Sequence, residues 1–318
     1  MMPNDALKPE MSALVCGNGP SLQFIDYRRL PDKFDIFRCN QFYFEDYYFL
    51  GKRIKYACFN PSVFFEQRLT AHHLNKNKEY DIEHIVCSTY SENFPTPNSH
   101  IHIEKLFPSV LMGYKYLSHL TELMDFLIFN EIYHSKRVSS GIFMCLFAAA
   151  LGYKNLYLAG IDFYEQGAAY AFEFRKKNIL KVSPGFKQEN THKILHSAEY
   201  DLEVLYFLRE KYNVKLYSLC ENTLCANSFE LAMINPNFSI AELIEKFGIM
   251  NIEQEVNNIS LDELKWVLKK GDDAIKDILL PSEYAYQTIN SFKDFFTGVQ
   301  RDKRKSLISR IVKFILKH

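Results

Sequence analysis

Short runs of apolar, β-branched and aromatic residues recur along the chain with helix-length stretches between them. They are Ala13 to Cys16, Asp35 to Cys39, Tyr56 to Phe59, Ile85 to Ser88, Asn155 to Ala159 and Lys215 to Leu219. Strand-like runs alternating with helical segments predict an α/β fold, a Rossmann-like and mainly parallel sheet with helices on both faces. A chain of 318 residues is long enough for one large core, so one main domain is expected. Residues 1–162 read as the first part of a nucleotide-binding domain, 163–196 as a lid inserted over its site, and 197–236 as its completion. Residues 237–300 read as a helical C-terminal region and 301–318 as a basic amphipathic tail.

The residues after each strand carry the chemistry, because open α/β sheets bind ligands beyond the carboxyl ends of their strands, at a switch point. Those ends are polar here: Gly17-Asn18-Gly19-Pro20-Ser21, Asn40-Gln41, Asn60-Pro61-Ser62 and Gly160-Ile161-Asp162. Amides and hydroxyls gathered there suit a nucleoside, although the same residue types also build ordinary turns. Ser139-Ser140-Gly141 precedes an apolar, Ala-rich run, Ile142 to Leu151, that predicts a buried helix. Its N-terminus is a place for a phosphate, or the serines serve as helix caps, and the two readings are compatible. The stretch from Phe163 onward contains Gly167, Pro184, Gly185 and several charges, the composition of a lid. Between Asn237 and Asp273 the pattern turns helical, and Ser260 with Glu263 forms a capping box.

Charge and cysteines narrow the function classes. Lys plus Arg and Asp plus Glu number 38 each, so no overall field draws the protein to nucleic acid. The 27 Phe and 20 Tyr serve a packed core and also supply surfaces for a base or sugar. Cys16, Cys39, Cys58, Cys87 and Cys220 sit in apolar runs and read as buried thiols in a reducing compartment. Met1 to Ser12 has no basic-flanked apolar segment, and no apolar run reaches the roughly 20 residues of a membrane span. The expectation is a cytoplasmic or peripheral protein. In 301–318 the apolar Leu307, Ile308, Ile311, Val312, Ile315 and Leu316 share one helical face, with Arg310, Lys313 and Lys317 on the opposite side. That pattern fits an interfacial membrane helix or a terminal helix packed on protein.

Several nucleotide-dependent chemistries are disfavoured. Gly17-Asn18-Gly19 lacks the third glycine of a dinucleotide fingerprint, and the second strand ends on Asn40 instead of an acidic residue. No Walker-type loop and no Asp-x-Asp occurs, so a transferase here needs no metal cofactor and handles its leaving group by other means. Tyr164 and Tyr170 in the lid segment could donate to a departing phosphate, although packing is the default role of tyrosine. His192 and His196 lie four apart, but without the Glu of a zinc motif, and Cys220 and Cys225 lack a second pair. One histidine near the lid suits removal of a proton from a sugar hydroxyl.

Taken together these segments resemble glycosyltransferase family 42, the bacterial lipooligosaccharide sialyltransferases. The resemblance is carried by Gly17 to Leu22, Phe37 to Asp46, Asn60-Pro61-Ser62, Gly160 to Tyr164, Tyr170-Ala171-Phe172 and His196-Ser197, and returns at Lys276 to Ser282. It implies a GT-A-like fold without Asp-x-Asp, a lid over CMP-sialic acid, and inverting single displacement onto a galactose-terminated glycan. It also implies a homo-oligomer, typically a tetramer, while the tail 301–318 is expected to hold the protein peripherally at the cytoplasmic face of the inner membrane. By the family pattern His196 is the general base, Tyr164 and Tyr170 bind the leaving phosphate, and Arg137 is the active-site arginine. Gly17, Asn18, Gly19, Ser21, Asn40, Gln41, Asn60, Ser139, Ser140, Gly141, Gly160 and Phe186 fall at or beside donor-contacting positions. Ser139 stands where the family commonly has threonine. A transferase using another nucleotide sugar is the alternative enzyme, and a membrane-docked nucleotide-binding module the alternative without catalysis.

Overall fold

The computed structural model of the protein describes residues 12–45, 48–61, 64–90, 103–163, 170–172 and 196–239. Tyr164, Phe186, most of the lid segment, the helical pattern of 240–273 and the tail 301–318 lie outside the described residues.

Eight parallel strands form one sheet: β1 Ser12–Cys16, β2 Phe34–Cys39, β3 Arg53–Phe59, β4 Asp81–Cys87, β5 Leu111–Met112, β6 Asn155–Ala159, β7 Lys215–Ser218 and β8 Glu230–Leu231, in the order β5-β4-β3-β2-β1-β6-β7-β8. The chain builds outward from β1 to one edge, then returns to β1 and builds toward the other. That reversal between β1 and β6 is a topological switch point.

Each strand sends alternate residues to opposite faces, as the two-residue period of a strand requires. Leu14, Cys16, Ile36 and Ala57 belong to one buried cluster, whereas Ala13, Val15, Phe37 and Cys58 belong to the other. The first cluster is covered by α1 Phe64–Lys76 and by short single-turn segments after β1 and β2. The second is covered by α3 Gly113–Leu117, α4 Thr121–His134, α5 Ser140–Ala150, α6 Ala198–Tyr212 and α7 Leu224–Ser228. A four-residue helix, α2 Ile103–Leu106, precedes β5. In α5 every residue from Ile142 to Ala149 is buried, as expected of a helix apolar on all sides.

Six expected strands are present, with β3 and β4 beginning earlier, at Arg53 and Asp81. Their first residues are exposed and polar, so hydropathy alone hid them. β5 and β8 are edge strands of two residues, too short to show a period. Cys220 follows β7 instead of lying within it, and all seven cysteines are free and buried. Burial raises their thiol pKa values, Cys39 to about 12, which keeps them protonated.

Candidate active site

The carboxyl ends of β1 and β6 are stitched together by main-chain bonds. Gly17 N–H donates to the Ala159 carbonyl at 3.0 Å and Gly19 N–H to the Gly160 carbonyl at 2.8 Å. The approach is so close that a Cβ on Gly17 would lie 2.2 Å from the Gly160 oxygen. One on Gly19 would lie 2.3 Å from Asp162 Oδ2. Glycine is therefore a steric requirement at both positions. Ser21 is buried and acts as a latch: its hydroxyl accepts the Gly160 N–H at 3.1 Å, and its N–H donates to Asp162 Oδ2 at 2.8 Å. Burial pushes the Asp162 carboxyl up, opposed by hydrogen bonds that the Ser21 hydroxyl and N–H donate to it.

Asn18 is anchored beneath the loop, its Nδ2 donating to the Cys39 carbonyl at 3.0 Å. Its Oδ1 lies 3.5 Å from Nη2 of Arg38, a fully buried guanidinium that pairs with Glu45 at 2.7 Å. Tyr80 donates to the other Glu45 oxygen at 3.0 Å. Two charges buried together are supported by such added hydrogen bonds. Gln41, also buried, follows Asn40 at the end of β2. Asn40 has φ +48°, a left-handed conformation that Asn tolerates. From there its Oδ1 accepts the Asn60 N–H at 3.1 Å, and its Nδ2 donates to Ser140 Oγ at 2.8 Å. One amide thus ties the ends of β2 and β3 to the start of α5.

Ser139 occupies the N-cap position of α5 but makes no side-chain capping bond. Gly141, in the first helical turn, sits against the Ile161 side chain. Ser139 N–H donates to Asp201 Oδ1 on α6 at 3.0 Å. Two residues earlier, the Arg137 carbonyl lies 2.8 Å from His196 Nδ1. A carbonyl only accepts, so Nδ1 carries the proton and the neutral ring keeps its basic lone pair on Nε2. The Arg137 guanidinium pairs with Glu131 of α4 at 2.5 Å, and Tyr90 hydrogen-bonds the same carboxylate.

Segment 170–172 is fastened to the first loop. Ala171 N–H donates to the Asn18 carbonyl at 2.8 Å, Gln23 Nε2 donates to the Ala171 carbonyl, and Tyr170 stacks on Phe172 with ring centroids 5.3 Å apart. Phe163, shortly after β6, has φ +52°, a strained conformation for a bulky residue.

The sequence model of the CST-I alpha-2,3-sialyltransferase family matches residues 11–249. This chain belongs to that family. A solved structure of the Campylobacter jejuni sialyltransferase CstII with the substrate analogue CMP-3FNeuAc is 45% identical, with TM-score 0.67, covering 74% of this chain and 98% of that one. CST-II in complex with a trisaccharide acceptor and CMP is 44% identical, with TM-score 0.64, covering 72% and 89%. An uncharacterised protein of Haemophilus influenzae strain Rd is 33% identical over 221 residues, 69% of this chain and 84% of that one. The chain is therefore a sialyltransferase, a glycosyltransferase dependent on CMP-sialic acid.

On this sialyltransferase scaffold the structure brings Gly17, Asn18, Gly19, Ser21, Asn40, Gln41, Asn60 and Gly160 together at the β1, β2, β3 and β6 ends, beside Ser139, Ser140 and Gly141. Arg137 and His196 meet at the entrance of α5. Tyr170 precedes Ala171, whose N–H is bonded to the Asn18 carbonyl. Sequence reasoning missed Glu131, Asp162 and Asp201 as supports of these residues. Asp162 was legible as the end of the β6 motif, but Glu131 and Asp201 sit in helical patterns that give no hint of their tertiary partners. Among the described residues, no three His, Cys, Asp or Glu side chains gather where a metal ion would be held.

Proposed function

We propose that this sialyltransferase moves N-acetylneuraminic acid from CMP-Neu5Ac to a terminal galactose of lipooligosaccharide by an inverting single displacement. The observation that carries the reading is the Nδ1 hydrogen bond of His196 to the Arg137 carbonyl, which leaves Nε2 as the base beside the N-terminus of α5. The bond between the anomeric carbon and phosphate oxygen breaks, and CMP departs with the electron pair. The acceptor hydroxyl oxygen bonds the anomeric carbon from the opposite face and gives its proton to Nε2. Tyr164 and Tyr170 donate to the leaving phosphate, stabilising charge that grows in the transition state. Asn18, Gln41, Asn40 and Asn60 frame the nucleoside, and Ser139, Ser140 and Gly141 frame the phosphate at a helix N-terminus. Arg137, held by Glu131, supplies positive potential toward the donor. The test is incubation with CMP-Neu5Ac and a lactose-type acceptor, followed by linkage analysis. An α-2,3 product is expected, with an α-2,8 product if sialylated acceptor is also used. Release of free sialic acid without transfer would reject the reading.

The same reading makes the reaction independent of divalent metal, since the sequence has no Asp-x-Asp and phenols serve the monophosphate. Turnover abolished by EDTA and restored by Mg²⁺ would overturn it. The tail 301–318 holds the enzyme at the cytoplasmic face of the inner membrane through its basic and apolar sides. Deleting it is expected to lower binding to anionic vesicles while soluble activity persists. No helix among the described residues is long and apolar enough to cross a membrane. Assembly into a homo-oligomer is supported by the exposed Phe129, Ile132 and Tyr133 on α4, and sedimentation would measure it.

A further inference from the structure

We propose that Asp201 is a positioning residue of the transfer site: by accepting the Ser139 N–H it holds segment 137–139 so that the donor-binding end of α5 and the His196 imidazole keep their mutual geometry. The inference rests on the roles given above to Ser139 and His196.

Two short segments face each other here, 137–139 and 196–201, joined at both ends. His196 Nδ1 donates to the Arg137 carbonyl at 2.8 Å, and Ser139 N–H donates to Asp201 Oδ1 at 3.0 Å. The second segment is itself stiff. Ser197 caps α6, its hydroxyl accepting the Tyr200 N–H at 3.2 Å, and Asp201 N–H donates to the Ser197 carbonyl at 3.0 Å. His196 therefore leads into a rigid first turn whose Asp201 reaches across to α5.

The bond to Ser139 has a recognisable local counterpart. In a capping box the third helical residue, Glu or Gln, accepts the N–H of the N-cap residue. In α5 that third residue is Ile142, which cannot accept, and Asp201 supplies the acceptor from another helix. The Ser139 hydroxyl makes no capping bond to its own helix, so the early N–H groups of α5 are not used by it. Asp201 is only 2% exposed, and among the described residues no Lys or Arg pairs with it. The groups that face it are Ser139 and Cys145 from α5 and Tyr200 from α6. Burial pushes its carboxyl up to about 7, opposed by the Ser139 hydroxyl and N–H. A buried acid held by one serine costs stability, which is understandable if the contact orders the site.

The test compares Asp201→Asn with Asp201→Leu. Both keep the shape of the carboxyl, but only asparagine keeps an acceptor for the Ser139 N–H. With both variants folded at the assay temperature, Asp201→Leu is expected to raise the KM for CMP-Neu5Ac and lower kcat for transfer. Each change should be about 10-fold, the size of one buried hydrogen bond lost. Asp201→Asn should restore both to within about 3-fold of the parent. Should leucine prevent folding, Asp201→Ala replaces it with the same expectation. If the variant without an acceptor lost only thermal stability, with kcat and KM unchanged well below its melting temperature, the inference is wrong. Equal losses in the asparagine and leucine variants would also reject it. His196→Ala, measured alongside, separates the two levels: if it transfers like the parent, the assignment of the base fails independently of Asp201.

Discussion

Nδ1 of His196 lies 2.8 Å from the main-chain oxygen of Arg137, 59 residues earlier in the chain. Because the partner is a carbonyl, the bond sets the tautomer as well as the position of the ring. His196→Ala is expected to lower kcat by roughly 10² to 10⁴-fold, with little change in the KM for donor. In the parent, transfer should fall at acidic pH, because protonation removes the Nε2 lone pair, and the variant's residual rate should lack that fall. A variant that lost activity only through donor affinity would place the base elsewhere.

Tyr170 stands on the Ala171 segment that is tied to Asn18. Tyr170→Phe keeps the ring stacked on Phe172 and removes only the hydroxyl, so kcat should fall by up to about 10²-fold. Tyr164→Phe should act in the same direction and the double variant should be slower than either. Donors with a better leaving group than CMP should narrow the gap between parent and variants.

Gly19→Ala would push a methyl group into Asp162 Oδ2 and the Gly160 carbonyl, 2.3 and 2.8 Å away. The latch between Ser21 and Asp162 must then open. Titration with CMP should show affinity reduced by at least about 10-fold, together with a lower melting temperature, as overpacking costs about 1 to 3 kcal/mol. Parent-like CMP affinity would show that the loop contributes nothing to nucleotide binding.

Burial pushes the Asp201 carboxyl up to about 7 in the folded protein, against 3.8 for an ordinary aspartate. A folded-state pKa above the unfolded one means that the native protein binds the extra proton. Its stabilising effect is full below about pH 4 and is lost as pH rises through about 7. Urea unfolding at pH 5 and pH 8 should show the parent losing stability relative to Asp201→Asn, by roughly 2 to 3 kcal/mol. Parallel pH dependence in the two proteins would show that Asp201 is not protonated in the native state.

Much of this protein is determined by local chemistry. The alternation of apolar residues in β1 and β2 and the continuous apolar run of α5 leave each segment one way to bury its side chains. The polar triplets after the strands had to lie on one edge once the strands were parallel. Thus the sheet and the loop residues Asn18, Asn40, Asn60 and Gly160 were readable from sequence. β5 and β8 were not, because two residues carry no period and form strands only beside a neighbour. The supports of the site were equally hidden. Asp201 lies in a helical pattern that is silent about Ser139, 62 residues away, and nothing near Arg137 in sequence marks its carbonyl as the partner of His196. Hydrogen bonds between distant segments depend on direction and separation in space, and only packing α5 against α6 brings these donors and acceptors within 3 Å.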